Sequence, residues 1–261
     1  MMLAVCAGRA WALGKVRANV SGDKLTITGD EAPNVVQVIP GVGPDAFVVV
    51  GLEATLVNGA LSATVSGVKK LAMEMKGGAD RVELTDVVLD GTLLVNLGPG
   101  SDVFVMQGGR VSKKAEIIGG QDSDDIRVRG GARFGGQLLV KGGKKVDTLV
   151  VTDVSIAGDS ELKGGTGNDD VTVQFTTLEG GANLVVGGGD GFDRTTLLED
   201  RFSNVQVFMG DGDDHLFVEG CQFDGTLKAE GNGGHDELDL AGDNTFDIGH
   251  PRRIKGFEDI D

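Results

Sequence analysis

Tyrosine is absent from this chain, and tryptophan occurs once, at Trp11. A binding face of stacked aromatic platforms, the usual device for gripping single-stranded bases, therefore has little to draw on. Sugar binding on aromatic platforms is disfavoured in the same way, because five of the eleven phenylalanines fall in apolar columns. There are two cysteines, Cys6 and Cys221, which excludes a disulfide framework and a cysteine-based zinc site. Five prolines beside 44 glycines exclude a Pro-rich linker and a collagen repeat. No apolar run approaches 18 residues, so no helical membrane span is expected. Positive charge is scarce: 24 Lys and Arg stand against 40 Asp and Glu, for a net charge of −16. Nucleic acid is excluded as a partner, because its phosphates need basic neutralisation, while cations and basic partners remain open.

What is abundant is glycine among β-formers. Apolar residues make up 40% of the 261, enough for a sizeable core, and so much Gly beside Val, Leu and Ile implies short strands joined by tight turns. The acidic residues closing the Gly-rich clusters repeat: Asp80, Asp102, Asp124, Asp147, Asp169, Asp193, Asp214 and Asp236. Successive gaps are 22, 22, 23, 22, 24, 21 and 22 residues, the mark of a solenoid. Four residues after each anchor stand Leu84, Met106, Val128, Val151, Val173, Leu197, Val218 and Leu240. Two residues after, only Thr195 departs from an apolar column. Seven residues before stand Met73, Val95, Ile117, Val140, Leu162, Val186, Val207 and Ala229. Apolar places two apart are strand periodicity, and polar residues such as Arg81, Glu83, Asp170 and Thr172 alternate with them. A third apolar place, Val88, Val111, Phe134, Ile156, Leu178, Phe202, Phe223 and Phe246, drifts by a residue or two at a looser corner.

These columns predict an all-β chain: a single right-handed parallel β-helix (β-solenoid), with about 22 residues and three short strands per coil and about ten coils in all. Residues 15–261 form the helix, with irregular early coils over 15–66 and regular coils over 67–261. Asn34 falls 46 residues, two periods, before Asp80. Residues 1–14, "MMLAVCAGRAWALG", read as a shortened signal peptide through the small-x-small Ala10-Trp11-Ala12, or else as an N-terminal cap. At the other end "GFEDID" begins another coil, which suggests either a cap with end-to-end association or one module of a longer chain.

The turns carry the chemistry. "GGTGNDDVT", Gly164–Thr172, fits the nonapeptide G-G-x-G-x-D-x-U-x at every place, and "GGDGFDRTT" fits except at Thr195. "GDGDDHLF" and "GPGSDVFV" fit from the second Gly on; "GGQDSDDIR" puts Asp122 at the inner Gly, and "GGKKVDTLV" substitutes Lys144 and Lys145. In these turns the chain resembles the repeats-in-toxin, or hemolysin-type, calcium-binding family. The likeness covers the turns of about 160 residues. It departs in having one such turn per coil of roughly 22 residues, where that family uses two per coil of 18. The resemblance implies Ca2+ held by Asp102, Asp122, Asp124, Asp169, Asp190, Asp193, Asp211, Asp214 and Asp236. An ion midway between coils about 4.8 Å apart lies about 2.4 Å from each, a calcium–oxygen distance. Lys144 and Lys145 should interrupt the column, their charge standing in for an ion. The alternative is that each Asp caps its turn, with no ion.

Catalysis is not expected. Sequential pairs such as Asp124-Asp125, Asp169-Asp170 and Asp213-Asp214 point to opposite faces of a strand, and no gap between anchors opens a long loop. His215 and His235 read as solvated residues beside acidic turns. The expected function is a secreted or cell-surface structural or adhesive module. Its partners are calcium ions and cell-surface or matrix components. A carbohydrate-active β-helix enzyme, lyase or hydrolase, and an ion-free structural solenoid are the rivals.

Overall fold

The computed structural model describes residues 14–247, 249 and 252–260, so the signal-peptide reading of residues 1–14, with Cys6 and Trp11, lies outside the described residues except for Gly14, and His250 lies outside them too. The chain is an all-β parallel solenoid of about eight turns, roughly 22 residues each, with two parallel sheets and a minor third. One turn shows the plan. Leu93–Gly98 runs along the first sheet, a Gly-rich bend follows, Val103–Gln107 runs along the second, and Arg110–Val111 forms the short third face. Ala115–Gly120 then lies beside Leu93–Gly98 in parallel, and Asp125–Phe134 beside Val103–Gln107.

The register stacks like on like. Phe104 pairs with Ile126, Ile126 with Leu149 and Leu149 with Val171, and the column continues through Thr195, Leu216 and Leu238. Met73, Val95, Ile117 and Val140 form the facing column. All of these are buried, so each strand puts alternate residues into one continuous core. Outward residues pair locally instead, as Arg127 does with Asp125 at 2.7 Å.

Three expectations change. In the third apolar column Val88 is 46% exposed and Leu89 takes the inward place, pairing with Val111. A two-residue strand has one inward position, and the corner's length drift shifts it by one. The 46-residue interval from Asn34 to Asp80 holds no intermediate coil, because Val35–Pro40 pairs directly with Arg81–Thr85. The intervening residues instead form antiparallel strands, Phe47–Leu52 against Val35–Pro40 and against Ser62–Val65. That lowers the count from about ten turns to about eight. Lys15–Ser21 likewise folds back antiparallel on Lys24–Thr28.

Candidate functional site

The eight anchors form one buried ladder. Each Asp stands immediately before the second-sheet strand and two residues before that strand's first inward side chain, so the same alternation turns it into the interior. Asp80, Asp102, Asp124, Asp147, Asp169, Asp193, Asp214 and Asp236 are all at most 3% exposed. Each offers Oδ1 to the coil before it. Asp80 Oδ1 accepts from the Asn34 backbone N–H at 2.7 Å, and Asp102 Oδ1 accepts from that of Asp80 at 2.7 Å. The pattern repeats from Asp124 to Asp102 (2.9 Å), Asp147 to Asp124 (2.8 Å), Asp169 to Asp147 (2.8 Å) and Asp193 to Asp169 (2.8 Å). It continues from Asp214 to Asp193 (2.7 Å) and from Asp236 to Asp214 (3.0 Å). Glu258 Oε2 closes it on the Asp236 N–H at 2.8 Å. At the other end Asn34 turns its side chain back on its own loop, with Oδ1 accepting from the Asp30 N–H.

The capping alternative thus takes an unforeseen form: the capped N–H belongs to the neighbouring coil. The signal was present in the sequence, because each anchor shares parity with the two apolar places after it.

The second oxygen is different. Oδ2 of all eight anchors is buried with no hydrogen-bond partner among the described residues. At Asp124, Asp147, Asp169, Asp193 and Asp236 it packs on the first glycine of its own turn, as Asp147 does on Gly142 and Asp124 on Gly119, where an added Cβ would collide with the carboxylate. The second glycine serves another need. Gly143 has φ 128° and lies against the Gly120 carbonyl, a conformation and a spacing that L side chains reject.

Burial opposes the charged form of these acids. It pushes the carboxyls of Asp80, Asp124, Asp147 and Asp193 up to about 7, and those of Asp102 and Asp214 up to about 6. Asp169 and Asp236 shift the same way for the same reason. The backbone N–H donors pull against the rise at every anchor. Charged neighbours add to it at several, as Asp169 and Asp214 do at Asp193.

The remaining three candidates stand apart on the rim. Asp190 and Asp211 are exposed and in register on adjacent coils. Asp122 pairs with Lys145 Nζ at 3.2 Å, so a lysine charge does occupy the acidic edge there. Asp213 is a further rim residue, its Oδ1 accepting from the His235 N–H at 2.9 Å.

A shorter ladder lines the loose corner and was not foreseen. Asp200 is buried, accepts from the Thr176 N–H at 2.7 Å and the Leu198 N–H at 3.1 Å, and is pushed by burial up to about 8. Cys221 lies one coil further, its N–H given to Asn244 Oδ1 at 2.9 Å. Burial raises its thiol to about 12, so the expectation of a small buried filler matches its setting.

No family model, no curated protein and no solved structure matches the chain.

Proposed function

We propose that the protein is a structural β-solenoid, a secreted or surface module with an adhesive role, whose acidic turn edge takes Ca2+ and is most stable when its charge is neutralised. The observation that carries this reading is the column of eight buried carboxylate oxygens without partners, one per coil. A stacked column of carboxylates calls for a counter-charge, supplied by protons or by a hard cation.

The donor chemistry suits calcium, all oxygen and densely anionic. The geometry suits it in two tiers. Among the candidate ligands, Asp102, Asp124, Asp169, Asp193, Asp214 and Asp236 already have Oδ1 committed to a backbone N–H, and Oδ2 is closed to solvent. An ion reaches them only if the turn opens. Asp190 and Asp211 need no such opening and are the first ligands an ion would meet. The ion-free solenoid is the second reading, favoured by the complete set of Oδ1 caps.

Catalysis forms no part of the proposal. Asp124, Asp169 and Asp214 point inward while their neighbours Asp125, Asp170 and Asp213 stand toward solvent, so the sequential pairs do not converge. The test is thermal unfolding at pH 8 with millimolar Ca2+ and then with chelator, in the wild type and in an Asp190→Asn/Asp211→Asn double variant. Calcium held at about 100 times its Kd contributes about 2.7 kcal/mol per site. The proposal expects the midpoint to rise with Ca2+ and the double variant to lose part of that rise. An unchanged midpoint leaves the ion-free scaffold.

A further inference from the structure

On the outer face of the second sheet, three side chains of different chemistry meet. His215 begins His215–Glu219, and Glu237 begins the adjacent parallel strand Glu237–Ala241, in register with it. Asp239 stands two residues beyond Glu237 on the same outward parity, opposite Phe217. A ring nitrogen of His215 and one oxygen from each carboxylate lie within 4.8 Å of one another, and His215 Nε2 is 3.0 Å from Asp239 Oδ2. Nothing in the turn motif accounts for this cluster, which lies outside the buried Asp ladder and faces solvent.

We infer that His215, Glu237 and Asp239 form a binding site for a Zn2+-class divalent transition ion. Two ligands of one tetrahedral zinc sit roughly 3.3 Å apart, given metal–ligand bonds of about 2.0–2.2 Å. The His215–Asp239 pair, at 3.0 Å, needs to open by only a few tenths of an ångström to reach that spacing. The third ligand has only its side chain to move, because the parallel register holds the backbones one strand apart. The donor set selects the metal. An imidazole nitrogen with two carboxylates suits zinc and its neighbours, whereas calcium takes oxygen alone. Two anionic ligands and a neutral imidazole offset a double positive charge. Three protein ligands leave a fourth position for water.

The surroundings keep the site anionic. Asp259 lies in register beyond Glu237, and His235, 3.6 Å from Asp259, flanks it. Arg194 is in register on the far side of His215, one strand removed from the two carboxylates. His215 and Asp239 side chains are each 28% exposed, so an ion can enter without unfolding.

The test is calorimetric titration of the full chain with ZnCl2 at neutral pH in the presence of millimolar Ca2+, repeated with Co2+ to read its visible spectrum. The expected result is saturable binding of one Zn2+, undisturbed by Ca2+, with a tetrahedral Co2+ signature. His215→Ala and Asp239→Asn should each weaken binding by at least about tenfold. His235→Ala should leave it intact. Circular dichroism checks that each variant keeps its fold, and the two ligand variants serve as each other's control. Absence of saturable binding, or binding that survives His215→Ala, overturns the assignment and leaves a His215–Asp239 hydrogen bond. Competition by Ca2+ also overturns it, since that ion belongs to the acidic turns.

Discussion

The smallest unit of the fold is one carboxylate doing two things. Asp147 shows both: Oδ1 holds the Asp124 N–H, and Oδ2 lies unpartnered against Gly142. Asp147→Ala leaves a buried N–H without its acceptor and should cost about 1–3 kcal/mol in urea unfolding. Asp147→Asn keeps an acceptor and removes the buried charge. It should match or exceed the wild type at pH 8 in chelator and converge with it near pH 5. Gly142→Ala sets a methyl against the same carboxylate and should destabilise by at least about 1 kcal/mol, although its backbone conformation is unstrained. Legibility at this scale was uneven. The inward places of Val171 and Val173 could be read from alternation alone. The partner of Asp169 could not, because it is a backbone N–H 22 residues earlier, and periodicity names the register without naming the bond.

At the scale of the strand and corner, the stacked columns do the holding. Phe223 sits between Phe202, with ring centroids 5.6 Å apart, and Phe246, 4.8 Å away and nearly parallel. Phe223→Ala should cost about 3–5 kcal/mol, measured by chemical unfolding. The same corner buries Cys221, and its thiol should resist a disulfide reagent until the chain unfolds, a point checked by timing the reaction against unfolding followed by circular dichroism. The long strands were legible because their apolar period is strict. The short corner strands were less so: Val88 and Leu89 are both apolar, and only the three-dimensional stack decides which faces in. The antiparallel cap was misread for a related reason. Its length equals two periods, and β-formers look alike whether they extend the coil or fold back across its end.

Across the whole molecule, each coil touches its neighbours, and the carboxylate ladder runs from Asn34 to Glu258 through the described stack. Its electrostatics add in one direction. A carboxyl whose pKa is higher folded than unfolded binds protons preferentially in the folded state. Its stabilisation is full below the ordinary carboxylate range and is lost as pH climbs through about 6 to 7, the values reached at Asp80, Asp102, Asp124, Asp147, Asp193 and Asp214. Asp23, Asp224 and Glu230 are shifted the opposite way by lysine or arginine partners, but the Asp23 and Asp224 pairs are solvent-exposed and of small effect, and Glu230 is one group against the eight of the ladder. The net charge of −16 acts with the ladder, since protonation relieves both. The most direct measurement is therefore the free energy of unfolding against pH, from 4.5 to 8, in chelator. A ladder of buried carboxylate oxygens without partners among the described residues predicts stability that is highest at the acid end of that range and falls steadily until about pH 7. Stability that stays level or rises toward pH 8 without divalent ions would contradict it.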